Sequence, residues 1–124
     1  MLERRENIII EKTEKFADRI IDACNYLTKN RYANREMVSQ MLRSGTSIGA
    51  NTAESQYAQS RPDFLSKLSI ALKEANETKF WLGRIHKAGF LTETEYDSML
   101  HDNVEIIKIL TSITGTIKKS NNSQ

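Results

Sequence analysis

The segment Arg43-Ser44-Gly45-Thr46-Ser47-Ile48-Gly49-Ala50-Asn51-Thr52-Ala53-Glu54 decides how the chain is read. It lies inside a long helical pattern, yet it is made of small and polar residues. Gly45 and Gly49 are one turn apart, so on a helix they share a face. Each glycine costs a helix interior about 1 kcal/mol relative to alanine. Two of them in one stretch imply that another helix approaches this face closely. Arg43, Ser44, Ser47, Asn51 and Glu54 place polar groups where an ordinary core helix carries leucine.

Working outward, the segment belongs to a second helix that starts at Asn34 or Arg35 and reaches about Tyr57. Its expected core stripe is Val38, Met41, Leu42, Gly45, Ile48, Thr52, Ala53 and Tyr57. Before it, Ile9, Phe16, Ile20, Cys24 and Leu27 recur at helical spacing and predict a first helix over about residues 7–28. After it, Ser60 is a natural N-cap, Pro62 fits a first turn, and Asp63 completes a capping box. The third helix then carries Phe64, Leu68, Ala71, Leu72, Ala75, Leu82 and Ile85, and Gly89 marks its end. Thr92 and Glu95 form a second capping box, with Phe90 and Tyr96 placed as a staple. The fourth helix is read from Tyr96, Met99, Leu100, Val104, Ile107, Leu110, Ile113 or Thr114, and Ile117, with Ile106 and Ile109 on an adjacent stripe.

No segment alternates with the period of a strand. Four helices joined by short loops predict an all-α protein, an antiparallel up-down-up-down four-helix bundle. It forms a single domain over residues 1–117, and the polar residues 118–124 read as a frayed or disordered tail. A chain of 124 residues can bury one core without disulfides or metal.

Composition narrows the function classes. The formal net charge is +2, which neither demands nor excludes nucleic acid. A ring of several copies would add this small bias into a larger field. The lone Cys24 cannot form an internal bridge and falls on an apolar face, which points to a reducing compartment and a packing role. The charged start from Met1 to Glu6 does not resemble a signal peptide, and no apolar run approaches a membrane span. The expectation is a soluble cytoplasmic protein without membrane contact.

Sites of chemistry are sparse. A di-iron bundle needs Glu-x-x-His pairs on facing helices, but Gly83 and Ser98 stand three residues before His86 and His101. Neither histidine follows an arginine at the spacing used by helical ribonucleases. There is no phosphate-binding glycine loop and no nucleophile elbow. The reading is therefore of a protein that is not an enzyme, with no catalytic residue, cofactor or metal. His86, near a helix C-terminus, suits the helix dipole, and both histidines read as surface residues.

Two features remain. Antiparallel packing of the second and third helices lets Arg43, Ser47, Asn51, Glu54, Glu74 and Glu77 form a polar seam, with Asn51 and Glu54 near the level of Ile70 to Glu74 and Arg43 toward Trp81. Such a seam fixes helix register or a subunit contact, or it holds a ligand. In addition, Phe80, Trp81 and Leu82 cannot all face one stripe, so one aromatic is exposed in a monomer or buried between subunits. Ile70, Ile106 and Ile109 point the same way, toward self-association.

The run from Gln40 to Glu54 resembles the four-helix-bundle family of 23S rRNA intervening-sequence proteins. Further matches are Ser60-Arg61-Pro62-Asp63-Phe64, the run from Lys67 to Thr78, and Trp81-Leu82. The resemblance implies a homopentamer, often with a basic surface or channel. It also implies that Arg43, Ser47, Asn51, Glu54 and Glu74 are signature positions at packing or subunit contacts. A related group, the accessory variability determinants of diversity-generating retroelements, binds nucleic acid and a reverse transcriptase. Two functional readings follow. One is a pentamer that binds RNA or DNA through phosphate contacts from Lys12, Lys15, Arg19, Arg84, Lys87, Lys118 and Lys119. The other is an oligomeric scaffold for a protein partner, with no nucleic-acid role.

Overall fold

Capping chemistry sets the helix boundaries. In the computed structural model, which describes residues 2–122, the chain forms α1 (Leu2–Asn30), α2 (Arg35–Ser55), α3 (Arg61–Lys87) and α4 (Glu93–Asn122). Asn34 Oδ1 accepts the Met37 N–H at 3.0 Å and opens α2. Ser60 Oγ accepts the Asp63 N–H at 3.1 Å, while Asp63 Oδ2 reaches back to the Gln59 N–H at 3.1 Å. At α4 the box is reciprocal: Thr92 Oγ1 accepts from Glu95 N at 3.2 Å, and Thr92 N donates to Glu95 Oε1 at 2.8 Å. These bonds satisfy amides that a helix start otherwise leaves without partners.

The ends are equally local. Gly89 has φ +90°, a conformation that favours a residue without Cβ. Around it, Phe90 N donates to Ile85 O and Gly89 N to His86 O, closing α3 with a Schellman motif. The α1–α2 connection turns at Tyr32 with φ 53°, and Ala33 N donates back to Leu27 O at 3.0 Å.

Three boundaries differ from the sequence expectation. α1 begins at Leu2, ahead of its apolar stripe, and its first turns are tied to α4 by Arg5. α2 stops at Ser55, which leaves Tyr57 in the connection and 86% exposed. The polar stretch expected as a tail from Lys118 continues α4 to Asn122, and Ser123 and Gln124 lie outside the described residues.

α2 packs against α1 and α3, and α4 against the same two, while the diagonal pairs make no close backbone approach among the described residues. This is the antiparallel all-α bundle. Phe16, Ile20, Leu27, Met41, Ile48, Leu68, Leu82, Ile85, Ile106, Leu110 and Ile113 fill its centre. Gly45 and Gly49 form the close approach to α1. A Cβ on Gly45 would stand 2.8 Å from Ile20 Cγ1 and Cγ2, and one on Gly49 would stand 3.1 Å from the Thr13 carbonyl oxygen.

The core arcs are rotated from the expected ones in two places. Leu42 is 39% exposed and Ala53 is also exposed, because α1 takes the glycine side of α2 and leaves its flank open. On α4, Ile106 is buried, while Val104 and Ile107 are only half-buried. Ile106 therefore belongs to the core and not to a self-association surface. The inward arc includes Asn103, whose Nδ2 donates to Ala75 O at 3.2 Å while its Oδ1 has no partner. Cys24 is buried, and burial pushes its thiol up to about 11, so it packs as a small apolar residue with little thiolate to react.

Candidate functional site

The polar seam forms along the outer edge of the α2–α3 contact, where two antiparallel helices bring residues from opposite ends of the motif to one level. Arg43 donates to Glu74 Oε2 at 3.0 Å and, through its other terminal nitrogen, to Glu77 Oε2. Trp81 Nε1 donates to the same Glu77 oxygen at 3.2 Å. The Arg43 hydrogen bond, helped by the Trp81 indole, holds the Glu77 carboxyl below the usual carboxylate range. Inside the clamp, Ser44 Oγ and Thr78 Oγ1 lie 2.9 Å apart in the buried interface, and Thr78 is also 2.9 Å from Glu74 O. Arg43 thus closes the solvent side of a hydroxyl pair buried between the two helices.

The other seam residues do not join the clamp. Ser47 Oγ donates to Arg43 O at 2.6 Å, and Asn51 Nδ2 donates to Ser47 O at 2.9 Å, both along α2 itself. Glu54 lies further down and pairs with Lys67 at 3.1 Å, which puts it about one turn beyond Ile70, the near end of the expected level from Ile70 to Glu74. Of the aromatic pair, Phe80 is 56% exposed and Trp81 half-buried, in an edge-on contact with centroids 5.0 Å apart. Ile70 is 39% exposed on the same helix.

The expected phosphate contacts are divided among distant places. Lys12 pairs with Glu105 at 2.9 Å, Lys15 with Glu11 at 2.8 Å, and Arg19 with Asp102 at 2.6 Å. Arg84 leans over the Phe80 ring at 5.8 Å, and Lys87 is exposed at the end of α3. Lys118 and Lys119 are exposed at the opposite end of the bundle. No single stripe contains all seven. His86 stacks on Tyr96 with centroids 4.1 Å apart and lies 2.9 Å from Glu93, while His101 is exposed.

Sequence reasoning missed a groove between α1 and α4, of about 500 Å³, floored by Ala23, Leu27, Leu91 and Met99 and edged by Tyr26. Its open end is closed by Arg31, which donates to Glu95 at 2.5 and 2.9 Å and to Phe90 O at 2.9 Å. The only available signal was Glu95, which serves at once as capping residue and ion-pair partner. Its carboxyl is held down to about 2, first by the Arg31 hydrogen bond and then by the Thr92 amide. Among the described residues, no group of three or more His, Cys, Asp or Glu could hold a metal, and no helix is long and apolar enough to cross a membrane.

Comparison with known proteins agrees with this architecture. A crystal structure of a protein of unknown function from the S23 ribosomal protein family of Bacteroides thetaiotaomicron VPI-5482 aligns with a TM-score of 0.87 and 44% identity. The alignment covers 90% of this chain and 98% of that one. No curated protein matches. The family model for the 23S rRNA-intervening sequence protein matches residues 5–112. On that match, which spans all four helices and contains the Arg43 clamp, the chain belongs to the 23S rRNA-intervening sequence protein family.

Proposed function

We propose that the protein acts without catalysis as a self-associating bundle, a pentamer by its resemblance to the family, that binds RNA or DNA in the cytoplasm. The observation that carries assembly is the outer face of α3. Phe80 and Ile70 stand exposed there, flanked by Trp81 and the Arg43 clamp. Exposed aromatic and aliphatic residues beside an organised arginine are the ingredients of a subunit interface. A ring of copies would then sum the slight positive charge of each chain, which favours phosphate contacts.

Light scattering coupled to size exclusion, with and without a short structured RNA, tests both parts. The expected result is a multimer that gains mass with RNA at low salt and loses it as salt rises. A monomer sinks the assembly, and Phe80→Ser should shift the wild-type multimer toward single chains. A multimer indifferent to RNA at low salt overturns the nucleic-acid part.

In that case the protein-scaffold reading stands. One observation favours it already: Lys12, Lys15 and Arg19 are each spent on a carboxylate.

A further inference from the structure

Cations along α1 and just past its end form a ladder against α4. Arg31 meets Glu95, Arg19 meets Asp102 and Lys12 meets Glu105. The last rung is different. Arg5 reaches only hydroxyls, Ser112 Oγ at 2.6 Å and Thr116 Oγ1 at 3.2 Å. Its Nε is buried without a partner. Nearby, Arg61 likewise bonds a hydroxyl, Ser120 Oγ at 3.2 Å. Neither arginine has a carboxylate within ion-pair distance among the described residues, unlike the other three rungs. Lys118 is exposed at the same end.

That end also holds an aromatic pocket. The first turns of α1 and α3 and the last turns of α4 enclose about 220 Å³ lined by Glu6, Arg61, Phe64 and Ile117. Tyr57, in the connection leading into α3, is 86% exposed. Cations without a carboxylate partner, at the end of the bundle that also holds this small pocket and the bare ring of Tyr57, match the chemistry that binds a single strand. Phosphates meet the cations, and bases stack on aromatic side chains. Glu6 also lines the pocket. Its carboxyl is raised, by burial first and Glu3 second, against the pull of Arg5.

We propose that this end face of the bundle binds single-stranded nucleic acid, with phosphates at Arg61 and Lys118 and bases on Tyr57 and Phe64. The assignment rests on the nucleic-acid reading above and gives it a place. It sets aside Lys12, Lys15 and Arg19 as the binding surface.

The test uses the full chain and a fluorescent oligoadenylate of about ten nucleotides, titrated by anisotropy at low salt, with its deoxy counterpart in parallel. Tyr57→Ala should weaken binding roughly 5- to 150-fold, the range for losing one base stack. Arg61→Gln with Lys118→Gln should weaken it and flatten the salt slope by about 0.7 for each phosphate no longer neutralised. Lys29→Gln with Arg35→Gln, the same charge change at the opposite end, should leave binding unchanged. All these side chains are exposed, and melting curves check that each variant folds. Wild-type protein that binds neither strand at low salt overturns the nucleic-acid reading itself. Wild-type protein that binds, while the Tyr57 and Arg61/Lys118 variants bind equally well, overturns only this end face. Tighter binding of RNA or of DNA identifies which of the two the face prefers.

Discussion

α1 is held on its two sides by opposite kinds of chemistry. Toward α2 the contact is dry and very close: Gly45 admits Ile20, and Gly49 admits the Thr13 backbone. Toward α4 it is wet and ionic, a ladder of Lys12–Glu105 and Arg19–Asp102, continued by Arg31–Glu95 just past the end of α1, with a groove beside it. A close apolar contact loses energy steeply when its shape changes. A half-exposed ion pair gains little and loses more of that gain in salt. The α1–α2 seam should therefore fix the register of the bundle, whereas the α1–α4 seam tolerates substitution.

The largest expected effect lies on the dry side. Ile20→Ala should cost about 2–5 kcal/mol in urea unfolding, as large-to-small core changes do. An Ile20→Ala loss well under 1 kcal/mol would mean that the seam collapses freely and is not close-packed. Next comes Gly45→Ala. In the wild type it should destabilise by about 1–3 kcal/mol through overpacking. In the Ile20→Ala background the clash is gone, so the same change should become neutral or gain up to about 1 kcal/mol of helix propensity. Additive effects in this double-mutant cycle would refute the close approach of Ile20 to Gly45.

The wet side supplies the smaller effects. Glu95 has its carboxyl depressed from 4.5 to about 2 in the folded protein. A depressed folded value means that its contribution is present above pH 4.5 and is lost as pH falls toward 2. Glu95→Gln should flatten the melting temperature across that window. At neutral pH it should cost on the order of 1 kcal/mol or less, through the lost Arg31 pair, because a glutamine can still accept the Thr92 N–H. An unchanged acid slope in the variant would assign the acid loss to other groups. Smallest of all, a Lys12–Glu105 double-mutant cycle should give a coupling of about 0–1 kcal/mol that shrinks in high salt. A larger, salt-insensitive coupling would mean that the two seams are not as different as their chemistry suggests.

Much of the fold was legible because its signals are local. Ser60, Thr92 with Glu95, and Gly89 act on amides and carbonyls within a few residues, so spacing alone locates them. Gly45 and Gly49 announced a close neighbour, although not which helix it was. Less was legible where a choice depended on two helices at once. Phe80 and Trp81 are adjacent in sequence, but Trp81 packs against the core and bonds Glu77 through its indole, while Phe80 stays exposed. Leu42 fits a helical stripe but lies outside, because the stripe is wider than the arc α1 and α3 cover, and Tyr57 lies outside because α2 has already stopped at Ser55. The candidate site was legible in membership more than in arrangement. Arg43, Glu74, Glu77 and Trp81 meet, while Ser47, Asn51 and Glu54 bond elsewhere.

The sequence by itself determined the helices, their caps and their order, because backbone hydrogen bonding and side-chain period are properties of neighbouring residues. Only the tertiary structure decided which cations are neutralised by a carboxylate. Lys12 and Arg5 look alike along α1, but one meets Glu105 and the other meets two hydroxyls on a helix more than 90 residues later. Electrostatic neutralisation depends on distance through space, and that distance exists only after the four helices have packed.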